Sequence, residues 1–180
     1  MNTAVLSNRR SLNLAGFLIC AALMGYALYA QYGLGLEPCP LCIFQRIGVI
    51  TLGVVFLLAG LHNPKGWGSY GYAGLVAIAA LATIGVAARH LYVQSLPPGS
   101  VPSCGAPLSV LVKFTPPIEL IKKVLTGGGE CAEINWRFLG LAMPAWVLIS
   151  TAALGVFGVF ANLRRKSTHA TTSEPRFAEQ

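Results

Sequence analysis

Charge is scarce in this sequence, and aspartate is absent. Only 11% of the 180 residues are charged and 54% are hydrophobic, whereas about 25% are charged in an ordinary soluble domain. This composition excludes a large water-soluble core and a disordered chain, because both need more polar residues. The glycines follow no three-residue period, which excludes a collagen-like repeat. The composition therefore favours a membrane protein.

Long stretches without any charged residue divide the chain. They cover residues 11–36, 47–64, 66–88 and 138–163. A bilayer core about 30 Å thick is crossed by about 20 apolar residues of helix. The sequence thus predicts an all-α integral membrane protein, a four-helix bundle forming one domain over 1–166, followed by a disordered tail over 167–180. We expect the transmembrane helices at about 11–32, 41–61, 69–92 and 144–163.

Positive charge is unevenly placed, which predicts the orientation. The net charge is +7, and basic residues stand before the first run, between the second and third, and after the fourth. The link over residues 31–38 has no Lys or Arg, so the positive-inside rule puts both termini in the cytoplasm. The loops at about 33–40 and 93–143 then face outward, although the second also carries basic residues. This placement indicates a lipid bilayer rather than a nucleic acid as the partner.

The first apolar stretch could be mistaken for a signal peptide. It is longer than the 7–15 residues of a typical signal-peptide core, so we expect it to be retained.

The second outward loop contains a helical pattern. Thr115 can cap a short helix that Gly127 ends, with Ile118, Ile121 and Leu125 on one face. This pattern is typical of an amphipathic helix on the membrane surface, but packing within the loop would produce it equally well.

Four of the five cysteines fall in the outward segments, namely Cys39, Cys42, Cys104 and Cys131. That compartment is oxidising, so the Cys-x-x-Cys and the later pair are interpreted as two redox pairs and no metal is expected. A zinc site of four thiols and two purely structural disulfides are the competing interpretations. Cys20 lies within the first helix, where a cysteine is most often a small buried hydrophobe.

Cys42 has the most reactive surroundings. It is expected in the first turn of the second helix, where the helix dipole favours an anion, and Arg46 follows one turn later on the same face. Such a thiolate beside a guanidinium at the membrane boundary suits reduction of a lipophilic quinone. Without the cysteines, Arg46 would be interpreted as reaching for the headgroups. Cys39 precedes the helix between two prolines, so it suits exchange with a mobile second pair, and the cysteines form a relay.

These motifs resemble one known family. The residues Cys39-Pro-Leu-Cys42-Ile-Phe-Gln-Arg46, Cys104, Glu130-Cys131-Ala-Glu133 and the stretch from Trp136 to Trp146 look like the disulfide bond formation protein B family, DsbB. The resemblance spans about residues 11–163. The order agrees as well, because the Cys-x-x-Cys follows the first helix and the second pair follows the third.

The resemblance implies a protein-disulfide:quinone oxidoreductase of the bacterial inner membrane. Cys104 and Cys131 would form the disulfide that oxidises a periplasmic thioredoxin-like partner of the DsbA type, which attacks Cys104. Cys39 and Cys42 would reoxidise that pair and pass two electrons to ubiquinone or menaquinone of the membrane pool. Cys42 would contact the quinone, and Arg46 would assist.

The resemblance also implies further residues near the quinone. His90, at the outer end of the third helix, matches a family position there, although it can also be an interfacial histidine. Met143 is near the expected ring position. Gln45 stands where many members have an acid, which should alter the electrostatics at the quinone without abolishing the reaction. Trp146 is interpreted as an interfacial anchor.

Other functions remain open. The vitamin K epoxide reductase-like family also joins thiols to quinones, but its Cys-x-x-Cys lies late in the chain, whereas here it lies early. A DsbB paralogue dedicated to one thioredoxin-like partner fits the sequence equally. From a different class, a non-catalytic membrane scaffold held by two disulfides would have inert cysteines and no bound quinone.

Overall fold

The computed structural model describes residues 8–64, 66–97, 116, 129–132, 134 and 136–164. Its elements, in chain order, are α1 (Arg9–Tyr32), α2 (Pro40–His62), α3 (Trp67–Ser95), α4 (Gly129–Ala132), β1 (Arg137–Phe138), β2 (Leu141–Ala142) and α5 (Met143–Leu163). Four of these helices, α1, α2, α3 and α5, are long and apolar enough to cross a membrane. The predicted four-helix membrane bundle is confirmed.

The ends of the long helices follow from local residues. Pro40 and Pro144 lie in the first turns of α2 and α5, where their missing N–H groups cost no helical hydrogen bond. Asn63 ends α2 in a left-handed conformation with φ of 44°, and its N–H donates to the carbonyl of Ala59 at 3.0 Å. The helices extend beyond the predicted spans by up to three residues. The amphipathic helix expected after Thr115 and the tail over 167–180 lie outside the described residues.

The four long helices form a ring around Phe56. Helix α1 packs on α2, α2 on α3 and α3 on α5, while α1 and α5 close the ring through a thinner contact. The Phe56 ring is fully buried and lies between Gly16 of α1 and Gly158 of α5. A Cβ atom at Gly158 would stand 2.6 Å from this ring, so only glycine permits the approach.

Polar side chains tie the ring together at one end. Asn13 of α1 and Asn162 of α5 are buried and exchange side-chain hydrogen bonds of 3.1 and 3.0 Å. The Nε of Arg9 donates to the backbone carbonyl of Arg164 at 2.7 Å. The start of α1 and the end of α5 therefore lie together, at the end of the bundle away from Cys39.

The outer surface of the ring is apolar. Leu18, Ile78, Leu81 and Val156 are each between 64% and 73% exposed. In water such a surface would be costly, but in a bilayer it meets lipid tails, and the backbone polar groups are satisfied within each helix. The chain is a multi-pass membrane protein.

Candidate active site

A cavity of about 440 Å³ lies at the end of the bundle that carries Cys39 and Cys42. Its size is that of a small-molecule site. Most of its wall is apolar and comes from α1, α2 and α5, through residues that include Leu23, Met24, Val49, Met143, Pro144 and Val147. The polar side chains in the wall include Cys39, Cys42, Gln45, Arg46, His90 and Gln94. The cavity thus lies between α1 and α5, the neighbouring helices with the smaller contact.

Cys39 and Cys42 meet at the start of α2. Cys39 is the N-cap, and its Sγ accepts the backbone N–H of Cys42 at 3.4 Å. Pro40 then fills the beginning of the helix. The two Sγ atoms lie 3.1 Å apart, so small side-chain movements are enough to form a disulfide. Cys39 is more fixed than the sequence suggested, because its side chain serves as the helix cap.

His90 of α3 reaches both sulfur atoms. Its Nε2 lies 3.7 Å from the Sγ of Cys39, and its Nδ1 lies 4.0 Å from the Sγ of Cys42. The side-chain amide nitrogens of Gln45 and Gln94 lie 2.9 Å from Nδ1 and 3.4 Å from Nε2. Only 2% of His90 is exposed, which rules out an interfacial histidine open to solvent.

Arg46 is held by α1. Its guanidinium donates to the side-chain oxygen of Gln31 and, at 3.0 Å, to the backbone carbonyl of Ala27. Both acceptors are uncharged, so they orient the guanidinium without neutralising it. Its positive charge remains available to an anion in the cavity. The sequence analysis missed Gln31, although a polar residue in the last turn of an otherwise apolar helix was a usable signal.

Cys131 reaches the same place from the second outward loop. It lies in α4, is 1% exposed and packs with Leu41 and Val93 beside Cys39. Its hydrogen bond with Cys39, and secondly its burial, raise the pKa of the Cys131 thiol far above its ordinary value. Cys131 is therefore held in its protonated form against Cys39. Cys104, its predicted partner, lies outside the described residues.

A short hairpin over 137–142 follows α4, and the sequence analysis did not predict it. Strands β1 and β2 pair antiparallel, with Phe138 opposite Leu141. Between them Leu139 and Gly140 have φ values of 52° and 81°, the two left-handed residues that a type I′ turn requires. The signal in the sequence was a Leu-Gly pair between apolar residues, which is weaker than the usual Asn-Gly.

Aromatic side chains from this hairpin and its neighbours form one wall of the cavity. Trp136 stacks on Phe138 with ring centroids 5.9 Å apart and meets the ring of Tyr26 edge-on at 6.0 Å. The indole N–H of Trp146 donates to the backbone carbonyl of Phe138 at 3.1 Å. All four line the cavity, so Trp146 contributes to its wall and not only to an interfacial belt.

The comparisons with known proteins point to one family. The family model described as disulfide bond formation protein DsbB matches residues 9–161. A disulfide bond formation protein B from Xanthomonas campestris pv. campestris (strain 8004) is 49% identical over 154 residues, covering 85% of this chain and 90% of that protein. One from Chromobacterium violaceum is 49% identical over 158 residues, covering 86% and 95%. One from Methylococcus capsulatus is 47% identical over 154 residues, covering 86% and 94%.

Proposed function

The chain belongs to the disulfide bond formation protein B family, and on that premise we propose that it is a membrane thiol:quinone oxidoreductase. It takes two electrons from a periplasmic dithiol protein of the DsbA type and passes them to ubiquinone or menaquinone. The observation that carries the proposal is the convergence of Cys39, Cys42, His90 and Arg46 on one largely apolar cavity.

The chemistry of the cavity wall suits a quinone head group. Apolar and aromatic side chains can take the ring, and Arg46 can donate to a ring oxygen. The side-chain oxygen of Gln94 is buried and, within the described part of the chain, has no hydrogen-bond partner. A buried acceptor without a hydrogen bond lowers the stability of the fold by about 1–3 kcal/mol. A hydroxyl group of a reduced quinone would donate the missing hydrogen bond. Met143, also in the wall, adds a soft apolar contact.

The first part of the reaction is disulfide exchange. The partner thiolate attacks Cys104 of the Cys104–Cys131 disulfide, and the partner's second thiol completes its own disulfide, leaving both cysteines reduced. The contact between Cys131 and Cys39 supports the next step. There Cys131 gives up its proton and attacks Cys39, the Cys39–Cys131 bond forms, the Cys39–Cys42 bond breaks, and Cys42 leaves as a thiolate.

Burial, which helps to raise the pKa of Cys131, persists when Cys131 is bonded to Cys39, and it favours this direction. A thiol with a high pKa is a poor leaving group, so once Cys131 is bonded to Cys39 it is not readily expelled. Cys42 is the better leaving group, because its thiolate lies at the positive end of α2 and shares the cavity with Arg46. The asymmetry sends the electron pair towards Cys42.

The second part of the reaction is electron transfer out of Cys42. A quinone held in the cavity would take up the two electrons and two protons that are given up when Cys39 and Cys42 close their disulfide. Arg46 stabilises negative charge in the cavity, and His90, within reach of both sulfur atoms, is placed to hold or deliver a proton. Cys104 then restores its bond to Cys131, and the released Cys39 closes the disulfide with Cys42. Gln45 orients His90 through its bond to Nδ1.

The proposal includes a location in the bacterial inner membrane as one domain over 1–166, with both termini in the cytoplasm. The charge distribution supports this orientation, and so does the contact of Arg9 with Arg164 at one end of the bundle. The cysteines would then face the periplasm, where DsbA-type proteins act. The reduction potential of such a protein is about −120 mV. Its reoxidation therefore needs an electron acceptor of higher potential, such as a membrane quinone.

The test is quinone absorbance after a reduced DsbA-type protein is added to the detergent-purified chain. We expect the wild type to consume oxidised quinone in proportion to the dithiol added, and Cys42→Ser to consume none. Cys20→Ser is the matched control, because Cys20 is a buried thiol in the middle of α1, and it should behave as the wild type. Turnover by Cys42→Ser would contradict the proposed outlet for electrons.

A further inference from the structure

Three possible metal-ligating atoms converge beside the cavity. The Sγ atoms of Cys39 and Cys42 and a ring nitrogen of His90 all lie within 4.8 Å of one another. Two thiolates and one imidazole form a ligand set that Zn²⁺ and similar thiophilic ions bind. We propose that the reduced form of the protein binds a thiophilic divalent metal ion at these three residues, and that the bound ion arrests electron transfer. The metal is then an inhibitor and not a resident cofactor.

One ligand distance is already close to that of a tetrahedral site, and a second needs a small change. Bonds of about 2.3 Å to sulfur and about 2.0–2.1 Å to nitrogen place two sulfur ligands about 3.8 Å apart and a sulfur about 3.5 Å from a nitrogen. The Sγ of Cys39 already lies 3.7 Å from the Nε2 of His90. The two Sγ atoms, 3.1 Å apart, need to separate by about 0.7 Å. Rotation of the Cys42 side chain about its Cα–Cβ bond provides this separation.

The surroundings of His90 support metal binding through Nε2. The Gln45 amide lies 2.9 Å from Nδ1, and after a half-turn its oxygen accepts the Nδ1–H. The lone pair of a neutral imidazole then remains on Nε2, which faces Cys39. Histidines that bind metals commonly donate their other N–H to a fixed partner of this kind. Gln94, the other neighbour of Nε2, borders the cavity and has space to move aside.

A fourth ligand can come from the cavity. Cys39, Cys42 and His90 all line it, so the remaining coordination position opens onto it and can take a water molecule. The two thiolates balance the double charge of the ion. Arg46 also lines the cavity and its positive charge opposes the ion, so the attraction of the two thiolates has to outweigh this repulsion.

The site exists only in the reduced protein. A disulfide has no thiolate, so the oxidised Cys39–Cys42 pair cannot bind the ion. In the reduced pair, two S–H bonds are replaced by two S–metal bonds, two protons are released, and no electron moves. The bound thiolates can neither attack nor form a disulfide. Metal binding therefore competes with quinone reduction, and a chelator should reverse it.

The test uses Co²⁺ as a spectroscopic probe on the tag-free, full-length chain, reduced and freed of quinone. We expect one Co²⁺ per chain, with thiolate-to-cobalt charge-transfer absorption and the visible bands of tetrahedral cobalt, and displacement by Zn²⁺. The oxidised protein should show none of these bands. Because no quinone is present, the result stands apart from the proposed oxidoreductase function.

Matched variants locate the ligands. Cys42→Ser and His90→Ala should each weaken Co²⁺ binding at least tenfold, and His90→Ala should also shift the visible bands as nitrogen is lost. Cys20→Ser should bind as the wild type does, and the circular dichroism of each variant verifies its fold. Equal binding by the oxidised wild type, or unchanged bands and affinity in His90→Ala, would overturn the proposal. If His90→Ala fails to fold, the double variant Cys104→Ser/Cys131→Ser, which keeps the three ligands, decides the question, because it should still bind Co²⁺ when reduced and loss of binding there would overturn the proposal.

Discussion

The two ends of the membrane bundle use buried polar groups differently. At the end where α1 begins and α5 ends, Asn13 and Asn162 exchange reciprocal hydrogen bonds, and each also donates to a backbone carbonyl of its own helix. At the cysteine end, Gln94 keeps an amide oxygen without a partner among the described residues, and it borders a cavity. A closed polar pair stabilises helix packing, whereas an open polar group beside a cavity indicates a ligand. The buried polar groups therefore distinguish a part of the bundle that holds the fold from a part that is suited to bind a ligand.

The largest effect is expected at the cysteine end from Arg46→Ala. Removing the guanidinium should lower kcat/KM for quinone by about 100-fold, because a preorganised positive charge beside developing negative charge is lost. Binding of the DsbA-type partner should change little. Steady-state kinetics with quinone and partner varied separately measures both effects. Arg46→Lys keeps the charge but loses the forked geometry, so an intermediate rate is expected. A wild-type rate in Arg46→Ala would mean that Arg46 takes no part in the reaction.

The second prediction concerns the pH dependence of Cys131. Because its pKa is raised, its reactive thiolate is the minor form at neutral pH, and its alkylation in the reduced protein should rise about tenfold per pH unit up to and beyond pH 9. Cys39→Ala removes the first cause of the shift and should make alkylation at pH 8 faster. Mass spectrometry of the peptide containing Cys131 measures the rate. A rate that levels off by about pH 10 in the wild type would mean that the pKa is not raised.

The third prediction compares two substitutions of Gln31, which orients Arg46. Gln31→Glu keeps the shape but adds a negative charge, so the ion pair should neutralise Arg46 and lower quinone turnover about tenfold. Gln31→Met removes only the hydrogen bond and should cost a few-fold. Turnover at saturating partner concentration measures the difference. If Gln31→Glu were the more active of the two, packing rather than charge would govern this position.

The smallest effect is expected at the opposite end. Asn162→Ala leaves the side-chain oxygen of Asn13 without its donor and should lower the free energy of unfolding by about 1–2 kcal/mol. The specific activity of the folded protein should not change, since the cavity lies at the other end. Thermal unfolding in detergent, followed by a quinone assay below the transition, measures the two quantities. Loss of activity without loss of stability would contradict the separate roles of the two ends.

The helices could be predicted because their signal is local. Runs without charge, the prolines before α2 and the position of Arg46 one turn after Cys42 all follow from neighbouring residues. The same local rules indicated that Cys42 lies at the positive end of α2. The cysteines pointed to the family only together with Arg46, the stretch from Trp136 to Trp146 and the order of these motifs along the chain.

The rest depends on contacts between distant segments. His90 of α3 is enclosed only when α2 places Gln45 beside it. Arg46 of α2 is oriented only when the last turns of α1 supply its hydrogen-bond acceptors. The contact of Cys131 with Cys39 depends on where the second outward loop docks. No spacing rule specifies such pairings, because apolar helices can pack in several registers. The aromatic wall was missed for the same reason.

The measurement that tests the central claim most directly is a single turnover without any partner. The chain is reduced with a small dithiol, freed of the reductant and mixed with an excess of quinone, and the absorbance of the oxidised quinone is followed. The account predicts that Cys104→Ser, which retains Cys39 and Cys42, consumes one quinone per chain, whereas Cys42→Ser consumes none. Quinone consumption by Cys42→Ser, or none by the reduced Cys104→Ser chain, would contradict the claim that electrons leave through Cys42.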